Sequence, residues 1–364
     1  MGAYLSEPVT TKETEEGTTA SLRFGCSSMQ GWRRTMEDAH ILGAAIEDGS
    51  LFGVFDGHGG AEVARFVSRR MAREIRWDWR SDPEAELKRV FHRMDDLLRD
   101  PRFAPEIDSL KNAKDSAEQP QQEQRVSAKE ALEIFQQMIQ NNASRGDAAG
   151  DAPQRRRCEL PDHPLQAGCT AVVVVFDEGS SKLWCANAGD SRAVVCRDRA
   201  AVPLSFDHKP CAPGEQARIT NAGGFVDECA NGFFRVNGNL NLSRSIGDLK
   251  YKGDASLDPS QQIITAEPDV VECDVQPEDT FIIIACDGVW DVVSNQEAVD
   301  FVNVRLHNGH HLPGAPEAEE GKKARQLSAI CEELLDHCLA TNPRESRGIG
   351  GDNMTCIIIQ FKRS

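Results

Sequence analysis

Three aspartates occupy the same kind of position in this chain. Asp56 follows the apolar run Leu51 to Phe55, Asp287 follows "FIIIAC", and Asp352, in "GGDN", leads into "MTCIII". Each is followed within one residue by Gly or Asn, which permit a tight turn and leave the carboxylate projecting from the end of a strand. A single aspartate after a strand is ordinarily just a turn residue. Three in matching contexts point to a shared site, and acids gathered at one rim repel one another unless a positive charge sits among them. A divalent cation is the simplest candidate. Oxygen donors without a Cys or His cluster at metal spacing suit hard Mg or Mn, with water kept on the ion, better than zinc. His58 stands two residues beyond Asp56, so the tip of that strand carries an ionisable pair.

The elements that must hold these residues are mixed. Strand candidates are Leu51 to Phe55, Thr170 to Phe176, Lys182 to Ala186, Arg192 to Cys196, Ile263 to Ala266, Thr280 to Cys286 and Met354 to Phe361. Leu87, Phe91, Met94 and Leu98 recur at helical spacing, as do Leu327, Cys331, Leu334 and Cys338. Ser127 with Glu130, and Ser294 with Glu297, have the form of capping boxes that open helices. From Pro101 to Pro164 the chain turns polar and low in complexity, which reads as a surface insertion around one short amphipathic helix. That helix carries Leu132, Phe135 and Ile139 on one face, for packing on the parent domain or for binding a partner. The acidic stretch "GAPEAEEGKK" before the last helix reads as a loop.

Composition narrows the function classes. In 364 residues, 40% hydrophobic content argues for a large folded core, and no apolar run approaches the roughly 18 residues that span a membrane. A net charge of -17 counts against nucleic acid as a partner, because phosphate backbones are held by Lys and Arg. The 12 cysteines are scattered without a CxxC pair, which indicates a reducing compartment rather than a zinc site or a disulfide framework. "MGAYLS" places Gly2 and Ser6 in an N-myristoylation pattern, to be set against an ordinary Met-Gly start. With an acidic sequence following, acylation at Gly2 would give one weak, reversible membrane anchor. The expected location is cytoplasmic, with a peripheral membrane fraction and the nucleus left open.

A long series of segments, "SSMQGWRRTMEDAH", "VFDGHGG", "AGCTAVVVV", "ANAGDSRAVVC", "DHKP", "RITNAGG", "LSRSIGD", "ACDGVWDVVSNQEAV" and "GGDNMT", resembles the ordered motifs of the metal-dependent type 2C protein serine/threonine phosphatases. It spans Leu22 to Phe361. The resemblance implies an α+β fold, a four-layer α-β-β-α sandwich with two central, mainly antiparallel sheets and flanking helices. It implies residues 1–21 as an N-terminal segment and 22–364 as a single phosphatase domain with the polar insertion 101–164. The implied activity is hydrolysis of phosphoserine and phosphothreonine in phosphoprotein substrates by a monomer. A hydroxide bridging two Mg or Mn ions attacks without a phosphoenzyme, and a third, weaker ion is optional. Asp56 is the implied bridging ligand, Gly57 a ligand through its carbonyl, and Asp287 and Asp352 further ligands. Glu37 and Asp38 complete the acidic shell directly or through water, and Asp190 and Asp291 match acids of the third site. Arg33 matches the phosphate-binding arginine and His58 the proton donor. Thr170 is expected to hydrogen-bond near the metal shell, and Arg235 is either a supporting residue or a surface arginine.

Two competing readings remain. "HCLATNPR" fits the bare pattern of cysteine-dependent phosphatases, with Cys338 as nucleophile and Arg344 as clamp. Against it, the stretch has no glycine to let amides converge on an anion, and Cys338 falls on the apolar face of an expected helix. The other is a catalytically silent, phosphatase-like scaffold, whose expected mark is a lost ligand; Asp56, Asp287 and Asp352 are all present.

Overall fold

The computed structural model describes residues 4–111, 163–229, 232–306 and 326–363. Gly2, the Ser127 and Glu130 pair, the Leu132, Phe135 and Ile139 stripe and the "GAPEAEEGKK" stretch lie outside these residues. One sheet has six strands in the order β1 (Val9–Thr18), β2 (Leu22–Gly31), β16 (Met354–Phe361), β15 (Asp279–Ala285), β9 (Arg192–Arg197) and β10 (Ala200–Pro203). The other has five: β14 (Asp269–Asp274), β8 (Lys182–Ala188), β7 (Ala171–Asp177), β4 (Gly49–Phe55) and β3 (Ala39–Ile46). All the pairings within both are antiparallel. A small ribbon joins β13 (Ile246–Gly247), β6 (Gly168–Cys169) and β5 (Gly57–His58), and β11 (Val226–Glu228) pairs with β12 (Phe234–Val236).

Side-chain alternation sorts each strand into two faces. Phe52, Val54, Val172 and Val174 of the five-stranded sheet share a core with Ile282, Ile284, Ile357 and Ile359 of the six-stranded one. The alternate residues, Leu51, Val173 and Val175, pack with α1 (Glu62–Glu74), α2 (Pro83–Arg99) and α3 (Ala104–Lys111). Beyond α4 (Pro213–Asn221) and the short α5 (Asp287–Trp290), α6 (Asn295–Leu306) and α7 (Leu327–Cys338) cover Ile283, Cys356 and Ile358 on the far side. Helix, sheet, sheet, helix is the four-layer α+β sandwich that the sequence led us to expect. With both faces of each sheet covered, the central strands read as continuous apolar runs.

Leu87, Phe91, Met94 and Leu98 form the buried stripe of α2, and Leu327, Cys331, Leu334 and Cys338 that of α7. The second capping box forms reciprocally: the Ser294 amide donates to Glu297, and the Glu297 amide to the Ser294 hydroxyl. Three features differ from expectation. Residues 101–111, expected as the start of the polar surface insertion, are helical and bury Ile107 and Leu110 in the core. Residues 263–266 make no strand; Thr265 only bridges Arg244, while Ile263 and Ile264 fill a small separate core with Ile219, Val236 and Tyr251. Strands β1, β2 and β14 carry too many Gly, Ser, Thr and charged residues to show a strand signature, and β3 is rich in alanine, a poor strand former. In β2, pairing with β16 from Leu22↔Phe361 to Met29↔Met354 imposes the extended state.

Registers bring the acids to one end. In the five-stranded sheet Ala39 pairs with Phe55, so Asp38 and Asp56 leave neighbouring strands at the same level. In the six-stranded sheet Ala285 pairs with Cys356, so Asp287 and Asp352 leave the same end of neighbouring strands. Gly288, next to Asp287, lies against Asn353, next to Asp352, so closely that a Cβ there would meet the Asn353 carbonyl oxygen at 2.0 Å. Backbone cannot yield as a side-chain tip would. Gly288→Ala should therefore destabilise the protein by about 1–3 kcal/mol and weaken Mn binding by moving the two turns apart. Denaturant unfolding with calorimetry of Mn binding checks this, and unchanged stability and affinity would refute the packing argument.

Candidate active site

A cleft of about 680 Å³ opens where these turns meet, lined by Arg33, Glu37, Asp56, His58, Asp287 and Asp352 among others. Asp56 is held by its backbone. Its carbonyl accepts from the Thr170 amide at 2.9 Å, and its own amide donates to the Thr170 hydroxyl at 3.3 Å. That hydroxyl is buried against Ser191 at 2.8 Å, as expected of a residue supporting the acidic cluster. Gly57 continues into the small ribbon opposite Cys169. Asp38 is buried; Oδ2 accepts from Thr355 at 2.7 Å, while Oδ1 finds no hydrogen-bond partner among the described residues. Glu37 accepts from the Thr35 hydroxyl at 2.9 Å and the Gly60 amide at 3.3 Å, and its amide donates to the Asn353 side chain at 3.0 Å.

Asp190 sits between β8 and β9, where the chain crosses from one sheet to the other, and its Oδ2 accepts from Lys209 at 2.5 Å. Asp291 ends α5 on the exposed side. Arg33 pairs with Asp352. Arg235 lines the cleft and donates to the Asn239 carbonyl, so it is not a remote surface residue. The structure thus gathers Arg33, Glu37, Asp38, Asp56, Gly57, His58, Asp190, Asp287 and Asp352 around one end of the sandwich, with Asp291 nearby at the rim.

Electrostatics mark this end as unusual. Ligand-capable atoms of Asp38, Asp56 and Cys286 all lie within 4.8 Å of one another. At that separation two ionised carboxylates repel by about 3 kcal/mol at an effective dielectric of roughly 20. Burial pushes the Asp38 carboxyl up to about 7. Burial, with Asp287 and the neighbouring acids, lifts Asp56 well above the usual carboxylate range, and burial with Asp190 and Asp352 does the same for Asp287. Asp352 is raised less, because Arg33 opposes the effect of burial. Among the described residues Asp38, Asp56 and Asp287 have no ion-pair partner.

The sequence reading missed three participants. Lys209 neutralises Asp190. Asp248 accepts from His58 Nε2 at 2.7 Å. The Cys286 thiol lies against the acids, donating to the Asn353 carbonyl at 3.6 Å and accepting from the Thr355 amide at 3.2 Å. Each lies inside a quoted motif, but nothing in the spacing marks which residues of a motif touch. Cys338, by contrast, is buried on α7, and burial pushes its thiol up to about 12, which removes it as a nucleophile.

Comparison with known proteins decides the family. The model of "Protein phosphatase 2C" matches residues 22–122 and 106–346. The chain belongs to the protein phosphatase 2C family. It is 38% identical to "Probable protein phosphatase 2C 21" of Arabidopsis thaliana, over 100% of this chain and 93% of that one. It is 40% identical to "Probable protein phosphatase 2C 3" of Paramecium tetraurelia over 100% of both. A crystal structure of a serine-threonine phosphatase 2C from Toxoplasma gondii superposes with a TM-score of 0.60 at 18% identity, covering 96% of this chain and 99% of that one. The protein is therefore a metal-dependent serine/threonine phosphatase acting on phosphoproteins. No helix among the described residues is long and apolar enough to cross a membrane.

The raised carboxyls set a pH dependence for this phosphatase without metal. A carboxyl whose folded pKa exceeds its unfolded value stabilises fully below the unfolded value, and that contribution is lost as pH rises through the folded one. For Asp38 the window runs from 3.8 to about 7. His40, raised to about 10 by Cys26 and Glu15 against the effect of burial, acts in the same direction. The metal-free protein should therefore unfold at a lower temperature at pH 8 than at pH 5.5, and Mn should raise that temperature more at pH 8. Scanning calorimetry with and without chelator checks this; a metal-free form more stable at pH 8 would contradict it.

Proposed function

We propose that the phosphatase hydrolyses phosphoserine and phosphothreonine with two Mg or Mn ions held by Asp56, the Gly57 carbonyl, Asp287 and Asp352. Glu37 and Asp38 complete the shell directly or through water, and Asp190 with Asp291 holds a third, weaker ion. The observation that carries this reading is charge. Asp190 and Asp352 have Lys209 and Arg33, but Asp38, Asp56, Asp287 and Glu37 have no cationic partner among the described residues, and four negative charges match two divalent cations. The orphaned, buried Oδ1 of Asp38 fits the same assignment, because a buried acceptor without a donor is costly. All the donors are oxygens, as hard cations require. When bound, the ions supply an activated water as nucleophile and neutralise developing charge on the phosphoryl group, so no phosphoenzyme is needed.

The chain's own residues do the rest. Arg33 offers a planar fork for the phosphate, which matters in a protein of net charge -17 that otherwise repels an anionic substrate. Its pairing with Asp352 holds the guanidinium at the cleft. His58 donates a proton to the departing seryl or threonyl oxygen. Thr170 fixes the backbone on which Asp56 is mounted. Residues 22–364, joined by β1 (Val9–Thr18) as the edge strand of the six-stranded sheet, act as one phosphatase domain in a monomer, and acylation of Gly2 adds only a reversible anchor to a cytoplasmic protein.

Asp56→Asn tests the metal reading. It should abolish both Mn binding in calorimetry and turnover of phosphoserine peptides, while leaving the fold intact and the metal-free protein no less stable, since one of several repelling charges is gone. Near-normal activity in saturating Mn would sink the assignment. Wild-type protein inert toward such peptides with Mn would move the silent scaffold ahead. For the terminus, mass spectrometry of protein isolated from cells should find a myristoyl group on Gly2, and an unmodified Gly2 would end that part of the reading.

A further inference from the structure

We propose that Asp248 is a positioning residue for His58: its buried carboxylate holds the Nε2–H and leaves Nδ1 as the ring nitrogen that serves the leaving oxygen. This rests on the reading of His58 as proton donor. The contact is short, 2.7 Å from Nε2 to Oδ2, and Asp248 is only 1% exposed whereas His58 reaches the cleft. Nδ1 has no hydrogen-bond partner among the described residues.

The surroundings are built around this pair. His58 pairs with Gly168 across the ribbon, and Gly168 with Gly247 on its other side, so Gly168 lies between the histidine and the aspartate that follows Gly247. A Cβ on Gly168 would sit 2.3 Å from Asp248 Oδ2 and 2.7 Å from His58 Nε2, so the contact requires glycine there. Asp248 has a φ of +50°, in the left-handed region, and its amide donates to the Ala167 carbonyl at 3.1 Å. The Ser245 hydroxyl donates to the same Oδ2 at 2.6 Å.

The turn is pinned from behind by α2. Lys252 donates to Asp95 at 2.6 Å and to the Ser245 carbonyl at 2.7 Å, and Asp95 also accepts from the Gly247 amide at 2.8 Å. Each of these contacts restricts where Oδ2 stands, and thereby the plane of the imidazole.

In the step itself, the Nδ1 proton passes to the seryl or threonyl oxygen as its bond to phosphorus breaks, giving the alcohol. The Nε2 proton stays on the ring, still donated to Asp248, and solvent water returns the lost proton to Nδ1. Orientation by a carboxylate matters here because a ring turned away from the leaving oxygen donates nothing.

The test compares a phosphoserine peptide with p-nitrophenyl phosphate, whose leaving group needs no proton, at saturating Mn. Asp248→Asn should lower kcat on the peptide by about 10²-fold, the lower end of the range for general acid catalysis. The nitrophenyl ester should lose far less, and Mn affinity by calorimetry should not change. The double variant with His58→Gln should be no slower than His58→Gln alone, because the two act as one unit. If His58→Gln separates the substrates and Asp248→Asn slows both equally, or if the two losses multiply, the positioning role is wrong and the proton donor stands. If His58→Gln itself slows both equally, the proton-donor reading fails and this proposal falls with it. Should Asp248→Asn not fold, Ser245→Ala, which removes one hydrogen bond to Oδ2, should show the same separation on a smaller scale, and its absence would overturn the proposal.

Discussion

Buried carboxylates that repel one another constrain this structure more than any other interaction. Each of the two sheets delivers a pair of acids, Asp38 with Asp56 and Asp287 with Asp352, through the register of one antiparallel strand pair. Because a one-residue slip would turn every side chain of a strand to its other face, the sandwich core and the acid cluster are fixed by the same pairing. The isoleucines and valines between the sheets hold the ends together against the repulsion. A repulsion of about 3 kcal/mol for one close pair is a sizeable part of a net stability of about 5–15 kcal/mol. A fold that kept such a cluster for stability alone would gain by replacing it.

Neighbouring acids meet this problem in different ways. Asp190 and Asp352 each take a cation from the chain, Lys209 and Arg33, and Asp248 takes the imidazole of His58. Among the described residues Asp38, Asp56 and Asp287 find none, and their carboxyls are raised. The division does not follow burial, since Asp190 and Asp248 are as buried as Asp38: the uncompensated acids lie at the strand ends, and the basic side chains reach in from other segments. A chain of net charge -17 has cations to spare for the cleft only because they are placed locally.

What was legible in the sequence followed from strong local patterns. The apolar runs of β4, β7, β15 and β16, the stripes of α2 and α7, and the acid at the end of each run could be read residue by residue. Strands β1 and β2 could not, since they are rich in Gly, Ser, Thr and charged residues; β2 is held extended by β16, far away in sequence, and β1 by its hairpin partner β2. Ile263 and Ile264 misled for the converse reason, being apolar because they are buried beneath a hairpin and not because they pair. Within the site, side chains at strand ends were legible as acids, whereas the contacts of Lys209, Asp248 and Cys286 join segments tens to hundreds of residues apart. Spacing carries no information about those.

The small ribbon shows how little regular structure such a contact needs. Three two-residue strands, Gly57–His58, Gly168–Cys169 and Ile246–Gly247, would be negligible as a sheet in isolation. Here each is the continuation of something rigid: the first extends β4 beyond Asp56, the second leads through Thr170 into β7, and the third is tied through Gly247 to Asp95 on α2. Their glycines let three backbones approach where side chains would collide, as Gly168 does between His58 and Asp248. The same short segment therefore carries an acid facing uncompensated acids at Asp56 and, two residues on, a base facing its own buried carboxylate at His58. A turn of ordinary residues could not bring the two electrostatic environments so close together, because the second depends on a backbone approach that only glycine permits.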